Sequence, residues 1–457
     1  MNDYSASLNP GELASNKANT QQRTVRPVAA SERIKTVDVV RGFALLGILL
    51  MNIPGFGIDN SEINKVLSGP HGGKDYYTAA IIFTFFEGTM RGLFSMLFGA
   101  GMVLFMMNKR AMPGEAPVAE YYYRRLLWLV LFGLFNGFIL LWWGDILFFY
   151  GLCGMILFAF RKIKPHWLII IGFVCVGIGI FKTQNWYGDL RDTRRNYVEA
   201  IAAEKAGKEL TEKQQEAKNA WPEIEKNQHA DTARVNEHVR KMRSGYATVF
   251  EHMIPNNVNG EVNYMYHGVW DMLCMMFIGM GLLVIGFFSN KLSTSTYLLL
   301  LITGYGIGIP LGWAYFNGYV SWATNFGNYV DSWRSPHWQI YDFRRTFLCL
   351  GHASLLMLIF RSRIVPWLMK ALAAVGQMAF TNYLVQSILC TLFFYGYGLS
   401  KYNTLQFHQL YYVVFAVWIL QLIYSPIWLR YYQFGPFEWL WRSLTYWKRQ
   451  PNKIKRS

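Results

Sequence analysis

"RIKTVDVVRGFALLGILLMNI", residues 33–53, decides the fold class. It opens on Arg33 and Lys35, then runs apolar to Ile53. Yet it carries Asp38 and Arg41 into the apolar run and closes on Asn52. Charge inside a bilayer is costly, so such residues in a spanning helix sit near water or carry out a task. Asp38 and Arg41 are three apart and meet on one helical face. Both lie where a long arginine reaches back to the interface. Asn52 follows Arg41 by eleven residues, which at 100° each returns to nearly the same face, roughly 16 Å further along the axis. Arg41 and Asn52 therefore look along one line toward opposite ends of the span. Two readings stay open: an orientation anchor with an interfacial cap, or two polar points on one path.

Composition agrees with a spanning helix. The 457 residues are 53% hydrophobic, 17% aromatic and 16% charged. Apolar runs recur at the roughly 20 residues that a helix needs to cross a bilayer, and only helices supply spans of that kind. The expected fold is all-α, a polytopic membrane bundle of about ten helices. The spans fall near 38–57, 79–107, 125–143, 145–160, 166–182, 267–288, 295–316, 343–360, 371–394 and 409–430. With the N-terminus inside, the cytosolic segments hold 23 Lys and Arg and the short outer segments hold 4. That bias predicts a bacterial inner-membrane protein with both termini cytosolic. The net charge of +16 thus reads as topology. No basic face with base-stacking aromatics is present, so nucleic acid is not an expected partner. Residues 1–32 read as a disordered tail, 33–182 and 267–450 as two membrane halves of five helices each, and 451–457 as a basic tail. Between the halves, 183–266 is rich in Ala, Glu, Lys and Gln and reads as an extracytoplasmic helical insertion.

Several residues break the apolar rule. In "FFEGTMRGLFSMLFGAG" (85–101), Glu87 and Arg91 are four apart, acid first, the favourable order for a helical ion pair. Gly88, Gly92, Ser95 and Gly99 give the small-residue spacing that lets another helix approach. Asp145, in "WWGDILFFYG" (142–151), sits in a tight turn and suits an N-cap or a substrate contact. In "VGQMAFTNYLVQSIL" (375–389), Asn382 and Gln386 share a face and either tie helices together or line a hydrated cavity. His71, in "SGPHGGKDYY" (68–77), follows Asn52 into the first outer loop. No metal-ligand spacing, phosphate loop, dinucleotide fingerprint or nucleophile elbow appears, and no metal is expected. The five cysteines lie singly in apolar runs, which fits small buried hydrophobes.

These stretches, together with "FGPFEWLWRSLTYW" (434–447), resemble the YeiB-like family of bacterial inner-membrane proteins, the domain-of-unknown-function 418 group. A wider resemblance joins the first helix to heparan-alpha-glucosaminide N-acetyltransferase, where an Arg-Gly start is followed by an Asn and then by a catalytic His in the next loop. Arg41-Gly42, Asn52 and His71 match that order. The resemblance implies an acyltransferase-like protein that moves an acyl group from a cytosolic thioester, acetyl-CoA or another acyl-CoA, to an extracytoplasmic glycan or lipid-linked sugar. Arg41 would hold anionic donor groups, Asn52 would orient the reacting groups, and His71 would act as base. That reading expects one path from Arg41 to His71. Two alternatives stay open: a transporter with Glu87, Arg91, Asn382 and Gln386 on its pathway, and a non-catalytic membrane partner protein. Membrane lipid is an expected partner in each, and a homodimer is compatible with all three.

Overall fold

The structure, a computed structural model, describes residues 34–106, 116–228, 231–332 and 337–454, with backbone alone at 227 and 262–267. The tail 1–32 and the last three residues of 451–457 lie outside the described residues. The described chain is helical, with one isolated bridge between Tyr432 and Lys453. In order the helices are α1 Lys35–Gly57, α2 Asn60–Ser68, α3 Gly73–Ile81, α4 Thr89–Met106, α5 Val118–Phe138, α6 Leu147–Leu157, α7 Pro165–Lys205, α8 Glu212–Gln228, α9 Thr232–Met242 and α10 Tyr246–Val284. There follow α11 Thr294–Thr324, α12 Phe326–Asp331, α13 Tyr341–Ser362, α14 Pro366–Gln377, α15 Ala379–Phe394, α16 Phe407–Trp428 and α17 Pro436–Tyr446.

Among the described residues, six segments are long and apolar enough to cross a membrane, and three shorter apolar helices, Leu147–Phe160, Gly268–Val284 and Ala379–Phe394, accompany them. The chain is a multi-pass membrane protein by this measure. The remaining expected span, α5, carries Glu120, Arg124 and Arg125 in its first turns.

The bundle is built around α1, which is buried along nearly its whole length and packs on α14 and α4. Close approach depends on small residues. At the α4–α10 crossing, a side chain on Gly99 would collide with the Met276 carbonyl, and one on Gly279 with the Met96 carbonyl. Around this core α7, α11 and α16 turn large apolar side chains outward, among them Phe181, Ile302 and Ile419. Exposed aliphatic and aromatic residues at this density suit a lipid solvent.

Two of the expected spans are interrupted. The second breaks between α3 and α4: Ile82–Phe86 is a single π turn, Glu87 leaves helical geometry at ψ 123°, and Gly88 takes φ +67°, open chiefly to glycine. The carbonyls freed by the break are taken up from α13. Arg344 bonds Phe83 O at 3.0 Å and Glu87 O at 2.8 Å, and His352 Nε2 bonds Phe85 O at 3.1 Å. The ninth breaks at Met378, between α14 and α15, where Glu438 of α17 accepts from the amides of Phe380 and Thr381.

Residues 183–266 form the end of α7, then α8, α9 and the start of α10. They have their own small core, with Tyr187 and Trp221 packed on Phe326 and Tyr329. A two-pronged Arg194–Asp331 pair at 3.1 Å pins them to α12.

Candidate functional site

At the end of the bundle where α1 finishes, a cavity of about 1220 Å³ opens between the spanning helices and the α9–α10 hairpin. Asn52 lies on its wall, one turn beyond Ile48. Glu87 and Arg91 form its floor at the helix break, and Asp145 enters from the α5–α6 turn. The cavity thus gathers four of the residues singled out in the sequence. Arg41, Asp38, His71, Asn382 and Gln386 are not on its wall.

Each of those five has another setting. Arg41 Nη1 bonds Asp38 Oδ1 at 2.9 Å, the pair the spacing predicts, at the far end of α1. His71 is exposed in the α2–α3 loop and stacks on Tyr76, with centroids 5.1 Å apart. Asn382 and Gln386 tie helices together. Asn382 Nδ2 donates to Ser425 Oγ and Val375 O, both at 3.1 Å, while Gln386 Nε2 donates to Gln421 Oε1 at 3.0 Å. Of the two alternatives the sequence allows for these amides, the contacts are those of interhelical glue.

The floor is a network of charges drawn from several helices. Sequence spacing pairs Glu87 with Arg91, but the break between them removes the helical register that pairing needs, and each takes a partner from elsewhere. Glu87 Oε2 accepts from Arg344 Nη2 at 2.8 Å. Arg91 Nη2 bonds Asp271 Oδ2 at 2.5 Å and the Tyr341 hydroxyl at 2.9 Å. Arg345 joins Asp271 to Asp342, the latter at 2.7 Å, and its side chain is 1% exposed. Arg344 and Arg345 were not among the sequence candidates. The signal was present in "YDFRRTF" (341–347), where an acid and two arginines head an apolar run.

A second group also lines the cavity. His238 Nδ1 and His252 Nε2 are 2.7 Å apart, and His238 Nε2 lies 2.9 Å from the Tyr402 hydroxyl and 3.9 Å from Asp59 Oδ2. All four residues line the cavity. Burial lowers the pKa of both histidines, and Asp59 partly opposes this at His238. Both rings are therefore neutral near pH 7 and able to take a proton. The hairpin is held in place by Arg243 Nε on Tyr402 O at 2.7 Å and by Gly396 N on Met242 O at 2.9 Å. The two histidines sit 14 residues apart in an insertion without apolar periodicity, so nothing in the sequence pairs them.

Asp145, in the turn ahead of the apolar helix Leu147–Phe160, caps α6. It accepts from Phe148 N at 2.9 Å and from Asn136 Nδ2 at 2.8 Å. Its burial outweighs these bonds and pushes its carboxyl up to about 7. Among the described residues, no group of three or more His, Cys, Asp or Glu is arranged to hold a metal ion.

Comparison with known proteins supplies the frame for this site. The profile of a family described as "Protein of unknown function (DUF418)" matches residues 282–448. The chain is 30% identical over 437 residues to "Uncharacterized protein YeiB" of Escherichia coli (strain K12), covering 91% of this chain and 96% of that one. It is 29% identical over 446 residues to "Uncharacterized protein YxaH" of Bacillus subtilis (strain 168), covering 94% and 98%. No solved structure matches it.

Proposed function

The chain belongs to the YeiB-like DUF418 family, and from that premise we propose that it transfers an acyl group to a hydroxyl of an extracytoplasmic acceptor bound in the cavity beside Asn52. In this reading the Asn52 end faces out, ten helices cross the bacterial inner membrane, both termini are cytosolic, and the outward apolar faces meet lipid. One observation carries it: a hydrogen-bonded pair of histidines with a carboxylate behind it, on the wall of a cavity large enough for a sugar-sized ligand.

The chemistry follows from the string. Among the described residues, His252 Nδ1 has no hydrogen-bond partner, and only Nε2 is engaged. Nδ1 takes the acceptor's proton as the acceptor oxygen bonds the acyl carbon. The carbon–sulfur bond of the thioester breaks, and the thiol leaves with that proton. His238 and Asp59 spread the positive charge that builds on His252. Asn52 orients the acyl carbonyl. On this assignment the base is His252, inside the cavity, and not His71, on the surface loop.

The donor half rests on the resemblance. Among the described residues, Arg41 has guanidinium nitrogens to spare beyond its bond to Asp38, and in this reading it holds the anionic groups of acetyl-CoA or another acyl-CoA. Ile48 is the first α1 residue on the cavity wall, seven residues or ~10 Å from Arg41. Leu45 and Leu46 between them are buried, so the thioester arm passes only if α1 and α14 part there.

The test is acyl transfer by the purified protein with labelled acetyl-CoA. His252→Ala is expected to lower turnover by ~10²–10⁴-fold, the usual weight of a general base, while His71→Ala stays near wild type. The opposite ranking would return the base to His71. A transport reading is favoured by the broken helix and the charged floor. Counterflow of a substrate in vesicles, with no acyl transfer from any thioester, would establish it instead.

A further inference from the structure

Where α5 ends against α10, a set of buried oxygens has no donor among the described residues. Glu261 is 4% exposed, and neither carboxylate oxygen has a hydrogen-bond partner there. Asn136 and Asn257 are fully buried. Each uses its amide nitrogen within the protein: Asn136 Nδ2 on Asp145 Oδ1 at 2.8 Å, and Asn257 Nδ2 on Gly137 O at 2.5 Å. That leaves both Oδ1 atoms buried and unpartnered among the described residues.

Each of the three residues borders Gly137. Asn136 precedes it, Asn257 bonds its carbonyl, and a Cβ placed on it would lie 3.4 Å from Glu261 Oε1. Asp145 brings a second carboxylate, fixed by Asn136, Phe148 N and the Tyr383 hydroxyl at 3.3 Å. Burial first, and then the Asp145 charge, raise the Glu261 pKa to about 8. Buried acceptors left without donors bear their full desolvation cost, and a buried carboxylate without a countercharge bears more. Native proteins seldom leave four such atoms in one place.

We propose that Glu261, Asn136 and Asn257, beside Asp145, hold a hard, oxygen-seeking metal cation of the sodium or calcium type at the rim of the cavity. The donor set is the reason. Every open atom of these three side chains is a carboxylate or amide oxygen, the ligand class that such cations prefer. A proton on Glu261 would satisfy one acceptor; a metal cation serves several at once and offsets the carboxylate charge. Asp145 is on the cavity wall and the other three residues are not, so an ion from the cavity would reach them past Asp145. There it would brace the α5–α6 turn, which carries Trp142 and Trp143 on the same wall, and so link the ion to whatever the cavity binds. This inference is independent of the acyl-transfer reading.

The experiment uses the full chain in detergent, stripped with chelator and exchanged into choline chloride at mildly alkaline pH. Sodium, potassium, calcium or magnesium chloride is then titrated in at constant ionic strength. Sodium or calcium is expected to raise the unfolding midpoint saturably, by about 2–4 °C. The chain should also retain the corresponding radioactive ion on a desalting column. Glu261→Gln keeps the side-chain shape and should lose both responses. An absence of any ion-specific rise overturns the proposal, as does an equal rise or equal retention in Glu261→Gln. Stabilisation by acid alone, with no response to any metal ion, overturns it in favour of a protonated Glu261.

Discussion

Two regions of this protein bury ionisable groups, and they solve the cost in opposite ways. At the cavity floor, Glu87, Asp271 and Asp342 face Arg91, Arg344 and Arg345, and every pair but Arg345–Asp342 joins different segments of the chain. At the rim, Asp145 and Glu261 lie together with amide oxygens around them and no arginine among the described residues. The floor's charges are matched within it. Its charges also repair a broken helix, since Arg344 takes the carbonyls that the π turn releases. The rim is complete only with something added. Buried charge is therefore no single signal: matched, it reads as architecture; unmatched, as a site.

The largest effect that can break this contrast is at the floor. Arg345→Ala leaves Asp342 and half of Asp271 without their buried cation and should cost about 3–5 kcal/mol, read from denaturant or thermal unfolding in detergent. A loss near zero would mean that the floor is hydrated and open to ions, like the rim. Next comes the identity of the pairs. A double-mutant cycle on Glu87 and Arg344 should show a coupling of ~1–3 kcal/mol, and one on Glu87 and Arg91 under ~0.5 kcal/mol. Reversed values would restore the pairing that the sequence spacing suggests.

Smaller is the loss of the cap. Asp145→Ala removes the acceptor for Phe148 N and should cost about 1–2 kcal/mol, less than any floor arginine, because it also removes an uncompensated charge. A pH profile sharpens the contrast further. At Asp145 and Glu261 the folded-state pKa is raised, to about 7 and about 8 from 3.8 and 4.5. Their contribution is full below the lower values and is lost as pH rises through the higher ones. His238 and His252 have lowered values, so their contribution is full above 6.5 and is lost as pH falls. Unfolding midpoints of the cation-free chain should therefore drop on both sides of an optimum. Glu261→Gln should flatten the alkaline side alone; if it flattens the acid side, the assignment of the two limbs is wrong.

How much of this was legible beforehand depends on the range of each interaction. The Asp38–Arg41 pair and the Asp145 cap were, because both span three residues of local chain, where helical geometry sets the distance. The membrane class was legible too, because apolar runs of about 20 residues cross hydrocarbon as helices. The Glu87–Arg91 pair was misread for a local reason: Gly88 permits a break that periodicity cannot foresee. The role of Asn382 and Gln386 was undecided until their partners on α16 were known.

By itself the sequence determined a polytopic helical membrane protein, the polar residues inside it and the family to which it belongs. These follow from composition and short-range pattern, which the bilayer makes strict. Only the tertiary structure decided which distant charges meet. Arg345 reaches Asp271 across 74 residues, Arg344 reaches Glu87 across 257, and His238 reaches Tyr402 across 164. Such contacts depend on how helices cross, and crossing is set by packing at glycines such as Gly99 and Gly279. No periodicity along the chain records it.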